Sequence, residues 1–531
     1  MQENPSLHLP NPMQTSLIPS QNTEAPQSPV FQKHDPLFAI LYLICGYIYL
    51  QTVMFSQFGL GITLFTLCFF GISIVYIKQY VTALPKESFL YLSFALLAGV
   101  SFSLFENSGL KDYAFWFLTC LSVYWVLCAT SSRVNASLNN NIVIDAIQGF
   151  FALPFSHFSK SGSALFSLLK EPKRVITILL GLIIAAPLLF WVIGLLMSAD
   201  MFFYSIMDMI RTTFWDNFAE KIIKILFSLP IGFYLYGLLF GSLHPKEREV
   251  KQWALPAIPN PIFTTVLLLM IAIYTLFFVT QVLSIFTVLN GSERYGFSYS
   301  EFARGGFFEL CQVAAINLGL FIVCTNFIKT LPKHVKLLLA LLGANTLFII
   351  VSALFKMFLY IDEFGLTLKR VHASWLMCIF FVVFTILIVA LWRQINVTKW
   401  ALLISCVAFI LLCYANVGGV IASYNVGRYE AGTLATLDLH PFYQTPTEAA
   451  PALLRLYTST DDESVKENIA TFFINHHYEV TMYMNTSNLY SYSLQKHLYY
   501  QQLMQFFSDN PQYLENVVPY LPSSSQVQAG S

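Results

Sequence analysis

Residues 175–198 read VITILLGLIIAAPLLFWVIGLLMS, twenty-four residues without one ionisable side chain. At about 1.5 Å of rise per residue, this stretch is long enough to cross the roughly 30 Å of hydrocarbon in a bilayer. A helix apolar on every side has no water-facing stripe, so lipid is the solvent it fits. Working outward, ten more stretches share this character: 37–55, 58–77, 88–105, 113–129, 222–243, 262–289, 307–328, 335–355, 373–392 and 399–416. Each is predicted to be helical, because backbone polar groups at that depth must be satisfied internally. The expected fold class is therefore all-α. It is a polytopic transmembrane helix bundle of about eleven spans, with a small helical extramembrane domain at the C-terminus.

Composition agrees. The chain is 56% hydrophobic and 11% charged, with mean hydropathy +0.62, whereas soluble domains carry about 25% charged residues. Net charge is zero, so no overall basic field recruits nucleic acid.

The chain divides into four regions. Residues 1–36 hold seven prolines among Gln, Ser and Asn, a composition that predicts a disordered tail. It does not read as a signal peptide, since the first apolar run comes after Pro36 without a strong basic flank or a small-residue cleavage pattern. Residues 37–417 form the transmembrane domain. Residues 418–522 are expected to form a helical extracytoplasmic domain, since about 438–522 alternate apolar and polar positions at helical spacing, as in APALLRLY (450–457) and ENIATFFINHHY (467–478). Residues 523–531 are a second disordered tail. The spans 37–55 and 58–77 predict a tight hairpin, and Pro187 and Pro230 are expected to kink their helices. The stretch AIQGFFALPFSHF (146–158) is apolar but too short to span, and is expected to be interfacial or re-entrant.

Lys and Arg in the connections give a direction. Sixteen lie on the side of the N-terminus and ten on the opposite side. That places the N-terminus in the cytoplasm and, with an odd span count, the C-terminus outside. Residues 420–531 carry ten acidic residues against four basic ones, which suits translocation.

Catalytic signatures are absent. There is no Walker A loop, H-E-x-x-H or G-x-S-x-G, and no pattern calls for a cofactor or a metal. His476–His477 has no third ligand nearby in sequence and is read as solvent-facing. All nine cysteines fall inside apolar stretches and read as packing residues. The centres of the spans are nearly free of ionisable groups, which argues against proton coupling; Asn317 and Asn345 are polar but do not titrate, and Lys356 is expected near a helix end.

The remaining polar residues gather in three connections that this topology places on the outer face. After the seventh span comes NGSERYGFSYSEFARGGFFEL (290–310), with Tyr299, Glu301, Arg304, Gly306 and Glu309; Ser298 and Glu301 have capping-box spacing. YIDEFGLTLKR (360–370) supplies Asp362 and Arg370. ANVGGVIASYNVGRYE (415–430) supplies Asn425 and Arg428. Two readings stand: ordinary helix capping and surface ion pairs, or one outer vestibule in which these groups bind one another or a ligand.

These segments also carry a resemblance. YSEFARGGFFEL, FGLTLKRVHASWL and NVGGVIASYNVGRYEAG resemble, in order and content, a bacterial multi-pass family known as domain of unknown function 4173, allied to 4153. LDLHPFYQTPTEAAPALLRL is similar to the stretch next in order in that family, and the resemblance covers about residues 170–460. The matching positions are Tyr299, Glu301, Arg304, Gly306, Gly365, Leu366, Thr367, Arg370, Asn425 and Arg428. Gly305 departs from the pattern, since a longer residue is expected there. The resemblance implies a bacterial cytoplasmic membrane and lends no reaction.

Three functions are consistent with these residues. The first is a non-enzymatic envelope sensor or scaffold, with membrane lipids around it and an envelope protein or small ligand at its outer face. The second is a transporter or lipid-handling protein. The third is a membrane-embedded transferase or hydrolase using Glu301, Glu309 or Asp362 as acid or base.

Overall fold

The computed structural model describes residues 31–134, 142–168, 172–210, 216–244, 259–289, 307–328, 331–434, 436–486 and 489–515. Among them no strand occurs, and twelve helices are long and apolar enough to cross a membrane. In chain order the first half is α1 (Asp35–Met54, its last turn π-helical), α2 (Leu60–Ile77), α3 (Lys86–Leu104), α4 (Lys111–Ala129), α5 (Ile142–Phe166, in four short pieces, the second π-helical) and α6 (Pro172–Ala199). A ten-residue α7 (Met201–Ile210) precedes α8 (Asp216–Leu243), α9 (Asn260–Leu289), α10 (Phe307–Phe327), α11 (Lys333–Phe364), α12 (Leu368–Ala390) and α13 (Val397–Tyr414). The C-terminal region adds α14 (Val417–Glu430), α15 (Pro446–Ser459), α16 (Glu463–Thr486) and α17 (Leu494–Asp509).

Eleven of the twelve coincide with the expected spans; α5 is the addition. Helix α11 runs to Phe364, well past the expected end at 355. Lys356 is therefore buried two turns inside the helix rather than at its tip. Leu180–Ala199 of α6 buries none of its described residues within the chain, as an all-apolar helix can when lipid surrounds it.

Close backbone approach joins α1 to α8. A Cβ on Gly46 would lie 2.6 Å from the Gly232 nitrogen, and one on Gly232 would lie 2.8 Å from the Leu43 Cα. Lipid tails are as apolar as leucine, so helices in a bilayer gain from contact area and small residues rather than from leaving water. A buried aromatic core of Tyr42, Tyr76, Tyr236 and Phe240 closes around this crossing. A second core joins α9 to α12, crossed by a polar chain in which Tyr274 donates to Asn317 Oδ1 (2.7 Å) and Asn317 Nδ2 donates to Thr346 (2.9 Å).

Contacts distinguish the two ends of the bundle. At the end nearer the N-terminus, buried Asp35 accepts from Tyr76 (2.9 Å) and Tyr80, and the Tyr80 ring meets His244 just past α8. At the same end, Glu87 is bridged by Arg133 (3.3 Å) and Lys399 (2.9 Å), tying together the starts of α3 and α13 and the segment after α4. At the other end lie residues 55–59, 105–110 and 365–367, and the C-terminal helices rest on them. Leu60 N–H donates to Tyr492 O (2.7 Å), and Lys496 donates to Gln57 Oε1 (2.8 Å).

Helix α5 enters from the N-terminal end. Asp145 accepts from Val134 N–H, and Gly149 packs against Val123 and Leu127 near the end of α4. Its hydrogen bonds and close approaches on α8 fall between Phe233 and Gly241, the half towards that same end. A re-entrant segment fits these contacts although its length would permit a span.

Candidate functional site

The polar site is a seam between the bundle and the C-terminal helices. Its first part is the α11–α12 turn. Helix α11 leaves its last carbonyls short of intrahelical partners, as every helix does; Gly365 N–H takes Ile361 O (2.8 Å), and two arginines serve this end as well. Arg428 of α14 donates to Asp362 O (2.6 Å) and Ile361 O (3.4 Å) while pairing with the Asp362 carboxylate at 3.2 Å. Arg370 donates to Phe364 O (3.0 Å) and Gly365 O, with its guanidinium 4.0 Å from the Tyr360 ring centroid. Cations here also complement the negative end of the helix dipole.

The turn needs glycine. Gly365 has φ +75, where a side chain is strained, and a Cβ would meet Asn425 Oδ1 at 2.7 Å. That approach lets buried Asn425 clamp the next residue. Leu366 N–H donates to Asn425 Oδ1 (2.7 Å), and Asn425 Nδ2 donates to Leu366 O (2.9 Å). Thr367 caps α12 by accepting from Arg370 N–H.

The second part joins residues 105–111 to α14, α15 and α17. Glu106 is the hub: its carboxylate takes Lys111 on one oxygen and Ser493 (2.8 Å) on the other. Its N–H donates to Gln495 Oε1 (2.8 Å), and Gln495 in turn donates to Asn416 Oδ1 (2.8 Å). Asn107 donates to Cys413 O (2.6 Å) and Lys111 to Phe58 O (3.0 Å). Glu448 of α15 is buried beside them. Its Oε1 accepts from Ser108 N–H (3.0 Å) while Oε2 has no partner among the described residues, and burial pushes its carboxyl up to about 7.

Among the sequence candidates, Asp362, Arg370, Asn425 and Arg428 are brought together with Gly365, Leu366 and Thr367. Tyr299, Glu301, Arg304 and Gly306, with the Ser298–Glu301 capping box, lie outside the described residues. Glu309 is exposed on α10 and has no hydrogen-bond or ion-pair partner among the described residues. The pair His476–His477 is not solvent-facing as expected: His476 is buried, bonds Phe472 O (2.8 Å) and stacks on Tyr443, and burial lowers His477.

Sequence reading missed Glu106, Lys111, Glu448, Ser493 and Gln495. The faint signal was FENSGLKD (105–112), a polar break too elaborate for a plain span connection.

Fold and seam together define a polytopic helical membrane protein with a helical domain seated on one end of its bundle. Residues 92–456 match the family model described as Domain of unknown function (DUF4153), and the chain belongs to that family. It is the ally of 4173 to which the sequence motifs pointed, and the match begins in α3 rather than near residue 170. No curated protein and no solved structure matches the chain.

Proposed function

We propose that the protein is a non-enzymatic accessory of a bacterial cytoplasmic membrane, which holds its C-terminal helices as a fixed platform at the extracytoplasmic face to sense or scaffold an envelope partner. One observation carries this reading: apart from Glu448, whose Oε1 takes Ser108 N–H, the seam's main charged groups are spent on backbone and on one another. Arg370 and Arg428 are taken by α11 carbonyls, Asn425 by Leu366, and Glu106 by Lys111 and Ser493. Groups so engaged orient a domain; they do not present an acid, a base or an anion site to a substrate. Breaking a buried pair by removing one partner costs about 3–5 kcal/mol, and Glu106 and Lys111 are 11% and 14% exposed, so the platform is held firmly.

The test is photo-crosslinking in intact cells from exposed positions on the C-terminal helices, such as Leu498 and Met504. A discrete crosslinked partner is expected, at the face where a C-terminal reporter shows translocation. If those positions trap nothing discrete, or the reporter is active only in the cytoplasm, the reading fails.

A further inference from the structure

A cavity of about 480 Å³ lies between α1, α2, α4 and α8, with Phe155 and Phe158 of α5 among its walls. That volume is within the range of about 300–1,000 Å³ typical of ligand pockets. The cavity reaches from Ile62, near the start of α2 at the domain end, to Leu238, near the opposite end of α8. It therefore lies at hydrocarbon depth. Four of its five hydroxyls are turned away from a guest: Thr66, Thr119 and Ser122 each donate to a carbonyl one turn back (2.7–2.8 Å), and Tyr234 donates to Phe150 O, while Tyr49 supplies the fifth. Water needs two to four polar partners to occupy a site, and these walls offer few. At its edge Phe155 is 61% exposed, which gives a lateral opening.

The rim supplies a charge. Lys224 on α8 holds its ammonium 5.1 Å from the Phe55 ring centroid, two residues past cavity-lining Val53. It precedes Pro230 of the cavity wall by six residues, about 9 Å along a helix, towards the domain end. Lys221 lies one turn further out. Apolar walls at membrane depth beneath interfacial lysines match one molecule class, a lipid with an anionic head.

We propose that this cavity binds one acyl chain of an anionic glycerophospholipid from the leaflet on the side of the C-terminal domain, with Lys224 at its phosphate. This goes beyond the scaffold reading and does not depend on the crosslinked partner. The test reconstitutes the full chain in phosphatidylcholine vesicles doped with phosphatidylglycerol, or with phosphatidylcholine, carrying a diazirine in one acyl chain; adducts are mapped by mass spectrometry after irradiation. Adducts should concentrate on cavity walls such as Phe65, Thr119 and Tyr234. The phosphatidylglycerol probe should label about fivefold more than the phosphatidylcholine probe, the preference one interfacial lysine supplies. Lys224→Gln should bring the two probes to parity, and Ser122→Trp, which fills the cavity, should remove these adducts. Labelling spread evenly over lipid-facing helices such as Leu180–Ala199, equal labelling by both probes, or indifference to Lys224→Gln would overturn the proposal. Lys224→Gln keeps the test decisive if Ser122→Trp does not fold.

Discussion

Replacing Glu448 by glutamine should abolish a pH dependence in the docking of the C-terminal helices. When docked, Glu448 is buried against Ser108, with one carboxyl oxygen unpartnered among the described residues and Glu106 adding to the burial penalty while Lys111 offsets part of it. These surroundings hold its pKa at about 7 rather than 4.5. At about 1.36 kcal/mol per pH unit between the two values, the full penalty on the ionised form is about 3 kcal/mol. Proton counting gives the sign. Between 4.5 and about 7 the docked state keeps a proton that the undocked state has released, so docking weakens as pH rises through that window and is weakest above it. The side-chain amide in the variant Glu448→Gln would imitate the protonated carboxyl and keep the acceptor for Ser108 N–H. The variant should match the parent at acid pH and dock up to about 3 kcal/mol more tightly at alkaline pH. Hydrogen exchange of the Ser108 amide and of α15, corrected for intrinsic rates, reads this directly in lipid discs. Equal pH slopes in parent and variant, or a parent more protected at alkaline pH, would refute the burial argument.

Other expectations are simpler. Arg428→Ala removes hydrogen bonds to two α11 carbonyls and the contact with Asp362; a loss of about 2 kcal/mol is expected, read as a lower midpoint in a thermal-shift assay, and an unchanged midpoint counts against the capping role. Gly365→Ala combines a positive φ with an approach to Asn425, so it should cost at least about 1–3 kcal/mol and expose the α11–α12 turn to protease. Gly232→Leu should prevent α1 from meeting α8 and deplete monodisperse protein, whereas Gly194→Leu, with nothing among the described residues within 4 Å of its added Cβ, should not; equal yields would sink the close-approach argument. Asn317→Leu removes two hydrogen bonds and should cost only about 1 kcal/mol, at the bilayer average of about 0.6 kcal/mol each, and a collapse of folding would mean the Tyr274–Asn317–Thr346 chain has a larger part.

The segment 175–198 and its ten counterparts determined the fold class unaided, because hydrocarbon imposes a rule that each span obeys locally: apolar side chains outward and helical backbone within. Gly365, Asn425 and Arg428 were also legible as a cluster, since each stands at a break in an apolar run. Their partners were not. Glu106 and Ser493 are separated by 387 positions, and nothing in FENSGLKD says which distant helix will cover it. For α5 the sequence left an interfacial and a re-entrant course open; length and hydropathy measure only whether a helix can cross a bilayer, while contacts with Val123 and Gly241 decide where it goes. Local chemistry determines what each segment is; only tertiary packing decides which polar groups meet, and here it brings Asp362, Arg370, Asn425 and Arg428 together in a seam.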